Sequence, residues 1–208
     1  VLFRSRIRHY KNGKLNDSVN GTPALQEFHP TTKQKVRVER HRSGILRDSR
    51  DGEPAVQVFS AYTGNRTELV HYQKGGVNDA PDGDPAVQRF DSKSGVRTHL
   101  EHRQDGNLQD SSRGDAALQS FDAVTGNRTF LSHYQNNNLR DTVDGDPARQ
   151  IFNRETGVIT EATRVRSGQL ALLSERQLRA LNRSKELLPP ELKSLDRKST
   201  RLNSSHTD

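Results

Sequence analysis

Residues 55–72 read AVQVFSAYTGNRTELVHY, two alternating runs separated by a turn. Successive side chains of a strand point to opposite faces, so Ala55, Gln57 and Phe59 share one face while Val56 and Val58 share the other. Thr63-Gly64 makes the turn, because Gly takes positive φ without the cost a Cβ imposes. The return run places Thr67, Leu69 and His71 together and leaves Val70 and Tyr72 on the opposite face. The segment is predicted to be a β-hairpin.

Working outward, the same reading recurs every 31 residues without an insertion or deletion. Gly52, Gly83 and Gly114 keep that period, as do Phe59, Phe90 and Phe121, the turn glycines Gly64, Gly95 and Gly126, and Leu69, Leu100 and Leu131. Asp17, Asp48, Asp79, Asp110 and Asp141 follow it too. Gly75 and Gly106 mark a second turn, and Asp-Gly-x-Pro breaks the chain before the next unit, since Pro donates no hydrogen bond. One unit carries a Phe, an Ala and two Leu or Val, too few to fold alone, so units must stack on their neighbours. The fold class expected is all-β: an elongated single-layer antiparallel β-hairpin array of about five copies, closed by a C-terminal capping helix.

Composition sets limits on this picture. Only 29% of the 208 residues are hydrophobic and the mean hydropathy is −0.97, close to the range of disordered chains, but strictly periodic anchors argue for order. The absence of Cys removes thiol nucleophiles and zinc-thiolate sites, and no apolar run reaches the length of a membrane span. The formal net charge of +7 is uneven: residues 51–150 hold ten Lys and Arg against fifteen Asp and Glu. That acidic middle interrupts the continuous basic stripe a nucleic-acid partner requires, so none is expected.

The ends read differently. The chain contains no Met; Asp196 to His206, DRKSTRLNSSH, resembles a translated sequencing adapter, and Leu2 to Ser5, LFRS, resembles its partner. The expected organisation is an adapter scar at 1–5, repeats at 6–168, a helical cap at 169–195 and a second scar at 196–208. In the cap, Ser174 is the expected helix N-cap, Gln177 closes a capping box, Leu173 staples to Leu178, and Pro189 and Pro190 end the helix near Leu188.

The pattern Asp82-Gly83, Phe90, Gly95, with His71-Tyr72-Gln73-Lys74-Gly75-Gly76-Val77, resembles the MORN family of repeats in its bacterial, antitoxin-type variant. The resemblance implies a single-layer hairpin array that scaffolds protein partners, in some members binding lipid head groups or acting as an antitoxin. The unit here is longer, inserts Pro-Ala after Asp-Gly, and lacks the family's Gly at Lys33 and Asn137. Phe90-Asp91 and Phe121-Asp122 before a turn Gly also resemble the YD-type repeats of large secreted toxin shells.

Chemistry is sparse. His71, His102 and His133 form a row, but equivalents two strands apart lie about 9.5 Å from one another, too far to share a metal. The acidic loops Asp79 to Asp84 and Asp141 to Asp146 are read as turn formers rather than calcium sites. Because the His and Asp residues recur from unit to unit, no Ser-His-Asp site is nominated, and no enzyme or cofactor is expected. Asn65-Arg66-Thr67 and Asn127-Arg128-Thr129 fit a glycosylation sequon and are read as turns.

The non-repeating face is the expected interaction surface: Val56, Val58, Val70 and Tyr72 make one unit apolar, Val87, Arg89, Glu101 and Arg103 make the next charged, and Tyr134 repeats Tyr72. The leading expectation is a non-catalytic module that binds another protein, in a compartment read as cytoplasmic. The alternatives are a structural segment of a large secreted or surface protein, and a membrane-associated array using Arg6, Arg8, Lys11 and Lys14 on anionic lipid.

Overall fold

The structure, a computed structural model, describes residues 5–186. Twelve strands form one antiparallel sheet in chain order, from Arg6–Arg8 at one edge to Gln169–Leu172 at the other. The main hairpins are Leu25–Phe28 with Lys35–Glu39, Val56–Phe59 with Arg66–Val70, Val87–Phe90 with Arg97–Glu101, Leu118–Phe121 with Arg128–Ser132, and Arg149–Phe152 with Ile159–Arg166. The 31-residue period is therefore the period of the sheet, and the all-β hairpin array is the fold.

Each of the first four hairpins is followed by a feature the sequence reading reduced to a turn: a two-stranded arm outside the main sheet, such as Tyr72–Gln73 with Gly76–Val77. Its tip, Lys74 (φ 52°) and Gly75 (φ 85°), takes two successive positive φ values, the geometry whose twist suits a two-residue hairpin. Asn136 and Asn137 do the same without Gly, and Lys33 also holds a left-handed conformation (φ 62°), so the missing glycines leave the turn geometry unchanged.

One detail of the predicted alternation is corrected. Val58 pairs with Glu68 but Phe59 pairs with Arg66, so Thr67 is the extra residue of a β-bulge and drops out of the Leu69 and His71 face. Arg66 takes its place opposite Phe59. The same shift recurs in every unit, at Phe28, Phe90, Phe121 and Phe152.

Directly paired residues form lines across the sheet. On the buried face one line runs Ile7, Gln26, Val38, Gln57, Leu69, Gln88, Leu100, Gln119, Leu131, Gln150, Ala162. Gln alternates with an apolar residue, and Leu100 and Gln150 are among the most completely buried side chains. A buried amide needs partners: the Gln119 and Gln150 side-chain N–H groups donate to Ala116 O (3.2 Å) and Pro147 O (3.5 Å), and Gln88 Oε1 accepts from Arg97 (3.0 Å). Beside this line Ala24, Ala55, Ala86, Ala117 and Ala148 are fully buried.

The helix Glu175–Glu186 closes the array. Gln177 Oε1 accepts the Ser174 backbone N–H (2.9 Å), the capping-box contact expected from the sequence. Leu178, Leu181, Asn182 and Lys185 are half-buried, one stripe at helical spacing. Asn182 hydrogen-bonds both the N–H and the C=O of Ile159 (3.0 and 2.9 Å), as a neighbouring strand would. The helix thus occupies the part of the last long strand's edge that Gln169–Leu172 does not reach. Gln169–Leu172, assigned to the cap from sequence, is a strand of the sheet. Leu188, Pro189 and Pro190 lie outside the described residues, as do both segments read as adapter apart from Ser5.

Candidate interaction surface

Two inter-unit devices rigidify the array. The first is a carboxylate that ties three chain segments together. Asp48 Oδ1 accepts the N–H of Ala55 and of Tyr72 (2.8 Å each), and Oδ2 lies 2.7 Å from His71 Nδ1. Asp79 with His102 and Asp110 with His133 repeat it at 2.7 and 2.9 Å. Arg40 and Arg164 take the His position in the end units, each 3.4 Å from its Asp. The periodic His and Asp are thus joined to one another as structural pairs, and Asp79, the first acid of one acidic loop, accepts two backbone N–H groups as well. Among the described residues no three His, Asp or Glu side chains converge as metal ligands.

The second device is a row of Arg residues that the sequence reading passed over as part of a turn. Arg97 lies 5.9 Å from the centre of the Phe121 ring, and Arg128 lies 5.9 Å from both Phe121 and Phe152. Burial pushes the Arg97 guanidinium below its ordinary value, with Asp84 and Asp115 opposing. At the turns, Asn65 donates to Ser92 O and Lys93 O (3.3 and 2.9 Å), and Asn127 to Arg154 O and Glu155 O (3.0 Å each). The sequon amides are clamps to the following unit.

The opposite face is aperiodic and mostly half-buried, with Arg89 and Glu161 exposed and Val56, Val87 and Ser132 buried. One line of paired residues runs Arg37, Val58, Glu68, Arg89, His99, Ser120, Phe130, Ile151, Glu161. The next runs Glu39, Val56, Val70, Val87, Glu101, Leu118, Ser132, Arg149. Of the predicted surface residues, Arg89 is exposed, while Val58, Val70, Tyr72, Arg103 and Tyr134 are half-buried. Val56 and Val87 are buried at 5% and 7% exposure and offer little surface. The apolar patch of the sheet at this unit therefore reduces to Val58 and Val70, with half-buried Tyr72 at the start of the arm that follows.

The charged part is a connected network. Arg89 Nε lies 3.1 Å from Glu68, and Glu101 is met by Arg103 (2.7 Å) and by His99 Nε2 (3.1 Å). The His99 hydrogen bond, with those from Arg103 and despite burial, holds the Glu101 carboxyl down at about 2. At Glu39 burial works to raise the carboxyl, but hydrogen bonds from His41 and Arg37 and their charges leave it lowered. His99 does not stand out in the sequence beside the periodic histidines; its counterparts 31 residues away are Glu68 and Phe130. A break in the period was the available signal.

Between the arms Tyr72–Val77 and Arg103–Leu108 lies a polar cleft of about 510 Å³ lined by Gln73, Lys74, Asp79, Asp105 and Arg113 among others. Arg113 donates across it to Asp82 O (2.9 Å). Of the basic N-terminal residues, Arg6 pairs with Glu27, and Arg8, Lys11 and Lys14 are exposed. Among the described residues no helix is long and apolar enough to cross a membrane. The chain matches no family model, no curated protein and no solved structure.

Proposed function

We propose that this protein is a repeat scaffold that presents the aperiodic sheet face to a protein partner. The observation that carries the reading is the contrast between the two faces of one sheet. The buried line repeats Gln and an apolar residue, as stacking demands, whereas the lines of the opposite face change character from unit to unit. The 31-residue stacking does not dictate the half-buried and exposed positions of these lines, so their variety is the part of the sequence available for recognition. The partner surface centres on Val58, Val70 and Tyr72, with the Glu68, Arg89, Glu101 and Arg103 network setting register through charge. The MORN resemblance supports the same reading.

The test is cross-linking capture from cells that carry the gene, with two charge-reversed variants. Arg89→Glu alters the aperiodic face; Arg113→Glu alters the cleft between the arms of the same region. A partner lost with R89E and kept with R113E supports the proposal, and equal recovery with both refutes it.

A further inference from the structure

One half-buried place on the aperiodic face brings together a nucleophile, a base and a carboxylate. His99 sits directly opposite Ser120 on the adjacent strand, and Glu101 lies two residues along from His99 on the same face. Their hydrogen bonds form a chain: Ser120 Oγ is 3.4 Å from His99 Nδ1, and His99 Nε2 is 3.1 Å from Glu101 Oε1. None of the three belongs to the repeat. The residues 31 positions away are Glu68 and Phe130 for His99, Arg89 and Ile151 for Ser120, and Val70 and Ser132 for Glu101. Stacking therefore does not account for them, unlike the His71, His102 and His133 pairs.

We propose that Ser120, His99 and Glu101 form an acyl-transfer site for small aryl esters. The carboxylate determines the tautomer. Glu101 is ionised at neutral pH and can only accept, so His99 carries its proton on Nε2, which leaves the Nδ1 lone pair facing the Ser120 hydroxyl. Ser120 Oγ attacks the ester carbonyl carbon as its proton passes to His99 Nδ1. The carbon–oxygen bond to the leaving phenol then breaks, and His99 returns the proton to that oxygen, leaving an acyl-Ser120 ester. Water repeats the sequence, with His99 as base, releasing the acid and restoring Ser120.

The surroundings define the substrate. Phe130, paired with Ser120, and Ile151 beyond it give an aryl group an apolar platform. Arg89, 3.8 Å from Glu101, is the cation beside the relay. The strand N–H groups are engaged in the ladder and form no oxyanion pocket, so the substrates are activated esters whose leaving groups depart without strong oxyanion stabilisation. Ser120 and His99 are half-buried rather than enclosed, His99 with 20% of its side chain exposed, so a small ester reaches the pair from the solvent side.

The probes are p-nitrophenyl acetate and a fluorophosphonate, with the full chain. The expected results are a fluorophosphonate adduct on Ser120 and hydrolysis at least about tenfold slower in Ser120→Ala and in His99→Gln, a smaller factor than the usual general-base effect of about a hundredfold or more because no oxyanion pocket assists. Circular dichroism must show both variants folded. The chain has no Cys, so Ser120→Cys supplies a single thiol. Its alkylation by iodoacetamide should slow by a similar factor when His99→Gln is added. Wild-type hydrolysis in S120A, an adduct at another serine with Ser120 unmodified, or a thiol that His99 does not accelerate would each overturn the proposal.

Discussion

Replacing Asp48 with Ala removes the acceptor for two backbone N–H groups and the partner of a buried imidazole. The Asp48 and His71 side chains are 9% and 3% exposed, so water replaces the lost carboxylate poorly. An unsatisfied buried donor costs about 1–3 kcal/mol. With the N–H groups of Ala55 and Tyr72 both affected, and some relief by water entering the space, D48A should cost about 3–5 kcal/mol. Asp48→Asn keeps an oxygen where both N–H groups point and should cost about 1 kcal/mol. Urea unfolding followed by far-UV circular dichroism measures both, and a D48A/His71→Ala cycle isolates the imidazole contribution. In a stacked array the loss is local, so amide exchange should rise in residues 48–77 before 118–172. A D48A protein within about 0.5 kcal/mol of wild type, or D48N as damaging as D48A, would refute the view that this carboxylate ties adjacent units together.

Other outcomes follow from the same geometry. Leu100→Ala, at a site 2% exposed, should cost about 2–5 kcal/mol in the same unfolding experiment. Gly126→Ala meets no atom within 4 Å, so its cost comes from the positive φ of 72° alone and should be about 1 kcal/mol. The Glu101 carboxyl lies at about 2 in the folded chain against 4.5 ordinarily, so its stabilising effect is full above 4.5 and lost as pH falls toward 2. Glu101→Gln should flatten that part of a stability-versus-pH curve and leave the neutral-pH shape intact.

The array was readable because stacking forces each unit to meet the same environment. Gly64, Phe59 and Leu69 recur at 31-residue steps since their positions do, and the Thr63-Gly64 turn and the Ser174-Gln177 cap are local interactions between near neighbours. The bulge at Thr67 was not readable: it depends on how Phe59 and Arg66 pair, and alternation alone counts residues without fixing register. The arms showed in the sequence only as the recurring turn at Gly75 and Gly106, because a strand of two residues is too short to display alternation.

The candidate surfaces divide in the same way. Alternation correctly separated a repeating face from a varying one, and exposure then retained Val58, Val70 and Tyr72 while burying Val56. Period, strand pattern and helix cap were determined by the sequence alone, because each rests on spacing along the chain. Only the tertiary structure joined Asp48 to His71 across 23 residues and Ser120 to His99 across 21, since contacts between strands depend on pairing register, which emerges when the whole sheet is assembled.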